Sequence, residues 1–296
     1  MKVLLFRPRP DKETIGLQNV MICEPLELEY ISANIEALGH TCTIVDMIIE
    51  KKSVSYFVKH YNPDVVGITG YISHVNIMKG YAKEAKEVNP QIVTIIGGVH
   101  AEVNPADFES PYVDYIIRAN GIRTFIDILN KLEQGKKDDG QTGREEDETS
   151  EIECIYVPGK KPPKKDTTFQ YLYPDRDKVK QYRSKYYYMF HRNCTLIKTS
   201  FGCPYNCKFC FCRQIMDDQY FARDLEDIVN ELSRIPETEI YIVDDDFLVG
   251  RERILAFCDL LEQRGIHKKY LIYGRADYVA ANEDVIKRFK EVGLRA

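Results

Sequence analysis

The sequence predicts an α/β protein built as two successive βα units, a doubly wound sheet in the first half and a second, barrel-like run in the last hundred residues. Two observations carry this. Residues 1–134 alternate short apolar runs with helix-period stretches, and after a long polar break the same alternation resumes at residue 195. A third observation, three cysteines at gaps of three and two residues, places chemistry at the start of the second run.

In the first half the strand candidates are residues 3–7, 41–46, 65–69, 92–96 and 115–118. Helical patterning covers 26–38, 53–60, 75–88 and 123–133, with Gly39 as the stop for the first of them. Five strands joined by four crossovers imply a flavodoxin-like order, whose ligand crevice lies at the carboxyl ends of the strands. Residues 135–152 are almost wholly polar and charged, which cannot bury enough surface to order a chain, so they read as a solvated linker. A Pro- and Lys-rich stretch and a tyrosine-rich connector carry the chain to residue 193. The second half then reads strand 195–199, cysteine loop, helix 224–234, strand 239–243, helix 251–264, strand 270–274 and helix 282–291. The predicted organisation is 1–134 as the first domain, 135–193 as linker and connector, and 194–296 as the second.

Bulk composition narrows the function classes. The 296 residues are 44% hydrophobic, enough for two cores, and carry a net charge of -5, which argues against nucleic acid as a partner. No long apolar run predicts a membrane span, and the start Met1-Lys2-Val3-Leu4-Leu5 is not followed by a signal-peptide stretch, so a cytoplasmic location is expected. Nine cysteines fit a reducing compartment, where clustered thiols bind metal or do chemistry and scattered ones (Cys23, Cys42, Cys154, Cys194, Cys258) fill cores.

The informative cysteines stand in Phe201-Gly202-Cys203-Pro204-Tyr205-Asn206-Cys207-Lys208-Phe209-Cys210. That spacing lets Cys203, Cys207 and Cys210 converge on one iron-sulfur cluster, and a [4Fe-4S] cube held by three thiolates keeps one iron free. A zinc knot with Cys212 as fourth ligand is the plainer alternative, although no second Cys or His pair follows at the usual distance. With Phe209 before the last cysteine, the loop resembles that of the radical S-adenosylmethionine (SAM) enzymes. The resemblance implies that the open iron chelates SAM and that an electron from the cluster cleaves it to a 5′-deoxyadenosyl radical. It also implies a barrel of about six βα units, of which three are present, so a longer protein is expected. Cys212 then reads as a free thiol near the cluster.

The first half resembles the cobalamin-binding domain that precedes the barrel in one large subclass of that family. The matching stretches are Glu24-Pro25-Leu26, Glu36-Ala37-Leu38-Gly39-His40, Asn62-Pro63-Asp64-Val65-Val66-Gly67-Ile68-Thr69 and Ile96-Gly97-Gly98-Val99-His100. The turn after the fifth strand, Arg118-Ala119-Asn120-Gly121-Ile122-Arg123, departs from the subclass pattern. Glycines at a strand end let backbone approach a large flat ligand. Thr69, Gly70, Tyr71 and Ser73 after the third strand, and Gly97, Gly98, Val99 and His100 after the fourth, are the expected cobalamin contacts. The chain has no Asp-x-His-x-x-Gly, so the resemblance implies cobalt without a protein histidine and with Tyr71 on its lower side. His74 and His100 otherwise read as ordinary loop histidines.

The same resemblance gives Asp244, Asp245 and Asp246, at the end of the second barrel strand, the SAM amino group, and lines the adenine pocket with Phe209. Arg275, in Gly274-Arg275-Ala276-Asp277, would pair the SAM carboxylate through its planar fork, or else only Asp277. The activity implied is methylation of an unactivated carbon, the alternatives being a non-methylating cobalamin enzyme or a metal-bearing regulatory protein. Expected partners are a small-molecule or peptide substrate and an electron donor such as flavodoxin or ferredoxin.

Overall fold

The structure, a computed structural model, describes residues 1–11, 19–138, 152–161, 165, 169–210 and 212–296. Residues 139–151 of the expected linker lie outside the described residues. The chain forms two compact units: Met1–Gly16 with Pro25–Asp166 and Tyr171–Tyr182, and Leu17–Glu24 with Thr167–Gln170 and Arg183–Ala296.

In the first unit five strands, β1 (Lys2–Arg7), β2 (Thr41–Asp46), β3 (Val65–Thr69), β4 (Val93–Gly97) and β5 (Tyr115–Ile116), form one sheet in the order β2-β1-β3-β4-β5. Every pairing is parallel. Each crossover from one strand to the next contains a helix: α1 (Leu26–Glu36), α2 (Val54–Tyr61), α3 (Val75–Val88) and, before β5, the short turn Val99–Val103. A further helix, α4 (Gly121–Asp138), follows β5. The strands read as near-continuous apolar runs because both faces are covered, and Leu4, Phe6, Val66, Ile68 and Ile96 pack with Val54, Phe57, Met78 and Ala82 in one core. Ser53 starts α2 by accepting the Tyr56 N–H on its hydroxyl.

The order reverses at β1: the chain passes from β1 to β2 on one side and then crosses back past β1 to β3 on the other. That reversal opens a crevice at the carboxyl ends of β1 and β3, the place where open α/β sheets take ligands. One expectation changes here. The fifth strand is shorter than its apolar run, because Ile117 turns to an antiparallel bridge with Ile155, while Arg118 N–H donates to Cys154 O and Tyr156 N–H to Ile116 O. Residues 154–156 thus satisfy an edge that would otherwise be open.

The second unit has a three-stranded parallel sheet of β6 (Thr195–Ile197), β7 (Glu239–Ile242) and β8 (Lys269–Leu271), consecutive in sequence and adjacent in space. This is the arrangement of a growing (β/α) barrel. Helices α5 (Leu225–Arg234), α6 (Arg251–Gln263) and α7 (Glu283–Glu291) cover one face, on which Ile197, Ile240, Ile242 and Tyr270 pack against Ile228, Leu232, Phe257, Leu261 and Phe289. Asp224 caps α5 by accepting from Glu226 N–H and Asp227 N–H. Beside β8, Leu294 makes a parallel bridge to Tyr270, and Arg295 N–H donates to Tyr270 O at 2.9 Å. A small antiparallel sheet joins Met21–Ile22, Tyr187–Tyr188 and His191–Arg192. Among the described residues no helix is long and apolar enough to cross a membrane.

Candidate functional site

In the second unit the cysteine loop leaves β6 and is closed at its neck by a two-residue antiparallel ladder, Ser200 opposite Ala222 and Phe201 opposite Phe221. Gly202 enters the loop at φ +71°, and a Cβ on it would lie 2.0 Å from the Gln219 carbonyl oxygen, so only glycine fits. Within the loop Cys203, Cys207 and Cys210 are half-buried, while Pro204, Asn206, Lys208 and Phe209 between them are exposed. Cys210 N–H donates to Cys207 O at 3.1 Å, which makes the last gap a tight turn.

Burial raises the Cys203 thiol, the Tyr205 N–H opposes it, and Asp246, Asp245 and Cys210 press it further up. Burial and then Cys210 and Asp245 push the Cys212 thiol up to about 12. These like charges crowd one place, a condition that a cationic iron core relieves. Among the described residues no three His, Cys, Asp or Glu side chains close on one point as a single ion would need. A four-iron cube is wider than an ion, so its thiolates need not meet at a point. The donor set, three thiols on one short loop, fits a cluster with one iron open.

The three carboxylates at the end of β7, alike in sequence, occupy three environments. Asp244 is buried and accepts from Thr199 N–H (2.7 Å), from the Thr199 hydroxyl and from the Ser200 hydroxyl (2.7 Å), so it ties the start of the loop to β7. Asp245 is exposed. Asp246 is 3% exposed and accepts from Leu248 N–H with one oxygen, while its Oδ2 is buried with no hydrogen-bond partner among the described residues. Burial raises the Asp246 carboxyl, with the Leu248 N–H, the Arg275 cation and a weaker approach of the Arg275 backbone N–H opposing. A buried carboxylate oxygen without a donor calls for one, and an ammonium group supplies it.

Arg275 follows β8. Its Nε and Nη2 both face the Asp277 carboxylate, and its Nη1 donates to Cys207 Sγ at 3.4 Å. The guanidinium lies over the Tyr205 ring, 4.4 Å from its centroid. Phe209, expected at the adenine, is 93% exposed. Sequence reasoning missed two contributors. Tyr205, which carries the Arg275 guanidinium on its ring, has no sequence signal beyond its place between two cysteines. Arg223, 2% exposed, donates to Lys198 O at 2.7 Å, pairs with Asp227 and Glu231, and stacks on Phe169, bracing the loop's far neck. A buried arginine one residue before a helix cap is a weak sequence signal, since most arginines are exposed.

In the first unit the expected cobalamin residues gather at the carboxyl ends of β3 and β4, where Thr69 pairs with Gly97 in register. Gly98 has φ +101°, and a Cβ there would lie 2.7 Å from Thr69 Oγ1, 2.8 Å from Gly70 O and 2.9 Å from Gly70 N. The Gly98 backbone runs against the Thr69 hydroxyl and the Gly70 backbone, leaving a floor with no bulky side chain at this point. Beside it Tyr71 and Ile72 are 63% and 69% exposed, and Ser73 is half-buried. His74 Nδ1 accepts from Tyr71 N–H at 3.1 Å, and burial, then the Arg7 cation, lowers its pKa. His100 is 8% exposed and bonded through Nε2 to Asp107 at 2.7 Å, so its ring serves the turn after β4. A flat floor flanked by exposed apolar groups fits a broad planar ligand such as a corrin ring. Gly98→Ala should destabilise this unit by about 2–4 kcal/mol, from left-handed strain plus the backbone clash, read as a lower urea midpoint by circular dichroism.

A doubly wound sheet with this floor and a barrel-type sheet with a three-cysteine loop define the class. The chain matches the B12 binding domain over residues 14–129 and the radical SAM superfamily over residues 197–296, and so belongs with the radical SAM proteins that carry a B12 binding domain. Among relatives, it is 28% identical over 303 residues to the hopanoid C-3 methylase of Methylococcus capsulatus, covering 99% of this chain and 56% of that protein. It is 23% identical over 306 residues to the anaerobic magnesium-protoporphyrin IX monomethyl ester cyclase of Rubrivivax gelatinosus, covering 99% of this chain and 54% of that one. The chain thus spans a little over half the length of these curated relatives. The solved structure of OxsB, a cobalamin-dependent SAM radical enzyme with aqua-cobalamin and SAM bound, superposes with a TM-score of 0.75 at 18% identity, covering 99% of this chain and 42% of that one, a likeness of fold.

Proposed function

We propose that the protein is a cobalamin-dependent radical SAM enzyme that methylates an unactivated carbon of a small-molecule or peptide substrate in the cytoplasm, with reducing electrons from a flavodoxin- or ferredoxin-like donor. The observation that carries the reading is the buried Asp246 Oδ2, which has no hydrogen-bond partner among the described residues, beside a loop whose three thiols are half-buried. Cys203, Cys207 and Cys210 would hold the cluster, Asp246 and the exposed Asp245 would take the SAM amino group, and the Thr69–Tyr71 and Gly97–Gly98 segments would floor the corrin. When bound, these groups supply an electron, a 5′-deoxyadenosyl radical and a transferable methyl group. The chain's own residues bind, orient and exclude water.

The similarity to the methylase supports methyl transfer. The similarity to the cyclase supports a second reading, in which cobalamin serves an oxidative reaction without methyl transfer. Anaerobic reconstitution with iron, sulfide and hydroxocobalamin tests the shared part. A broad brown absorption, a retained cobalamin band and 5′-deoxyadenosine on addition of SAM and dithionite are expected. A reconstituted protein that holds neither chromophore would overturn the reading.

A further inference from the structure

Arg275 has two edges, and they are used differently. The edge formed by Nε and Nη2, which grips a carboxylate side-on, is closed by Asp277. The remaining Nη1 reaches out of β8's end to Cys207 Sγ, and the planar face lies on Tyr205, two residues before Cys207 in the same loop. The guanidinium therefore meets the cysteine loop at two independent points, one through a sulfur and one through a ring. Asp277 holds it there from within its own turn.

We infer that Arg275 is a positioning and tuning residue for the cluster rather than a grip for the SAM carboxylate: it donates a charged hydrogen bond to the Cys207 thiolate and raises the cluster's reduction potential. The reason is electrostatic. Reduction adds a negative charge to the cluster, and a cation with an N–H aimed at a ligand sulfur stabilises the reduced form more than the oxidised one. The Tyr205 ring keeps the guanidinium plane from rotating away, and Asp277, by occupying the other edge, leaves Nη1 the one donor pair turned to the loop. The inference rests on the proposed cluster at Cys203, Cys207 and Cys210.

The test is an anaerobic redox titration of the reconstituted protein without SAM, followed by the paramagnetic resonance of the reduced cluster. In Arg275→Gln the reduction equilibrium should fall about tenfold, a shift of about 59 mV to lower potential for one electron. Arg275→Lys keeps the charge but not the planar fork, so it should shift the same way by less, and it answers the question if the neutral variant holds too little iron. SAM affinity, from equilibrium dialysis of the oxidised protein, should change less than threefold in both. Variants loaded with iron and sulfide whose potentials match the parent's overturn the inference, as does an unmoved potential with a large loss of SAM binding. A parent protein that takes up no iron and sulfide would overturn the cluster reading itself, a result plainly different from either.

Discussion

Cys207→Ala should leave the second unit folded and strip it of its cluster. The loop's neck is fixed by the Ser200–Ala222 and Phe201–Phe221 ladder and by Asp244, none of which involves the Cys207 side chain, so circular dichroism and the urea midpoint should match those of the metal-free parent. Bound iron and sulfide should drop, and 5′-deoxyadenosine formation should fall more than about a hundredfold, because even partners outside a metal's own ligands cost 10- to 100-fold. SAM cleavage that survives this substitution would end the cluster assignment.

Asp244→Ala acts the other way, through the fold first and the site second. It would leave the Thr199 N–H, the Thr199 hydroxyl and the Ser200 hydroxyl without their acceptor in a buried place, at a cost of about 3–5 kcal/mol. The chain has no tryptophan, so the loss is best read by far-ultraviolet circular dichroism in urea. Asp244→Asn keeps one acceptor oxygen and puts an N–H against the same donors, and should cost less. A purely ligand-binding Asp244 would instead leave the urea midpoint unmoved and weaken SAM binding.

How much of this was legible follows from the range of the interactions. The strands and their order were readable because each is a short apolar run set off by helix-period segments and turn residues. The early end of β5 was not, because the competing partner for Ile117 is Ile155, across a polar stretch whose return no local pattern announces. α4 runs to Asp138, past the end of its apolar stripe, because lysines and glutamine continue a helix without a core to face. In the site, the cysteine spacing stood out because three ligands must share one loop. The distinction among Asp244, Asp245 and Asp246 could not be read, since three identical letters in a row carry no burial signal. Only the position of Thr199 and Ser200 beside β7 separates them.

The backbone seam at Gly98 has a consequence for motion. With the Thr69 hydroxyl and the Gly70 backbone set too close to Gly98 to admit even a methyl group, the segments after β3 and β4 have little room to move independently. A disturbance arriving at Tyr71 is thus handed to Gly97–Gly98 as displacement rather than absorbed by a rotamer. The two loops behave as a single stiff lip, and whatever rests on it is sensed by both strands at once.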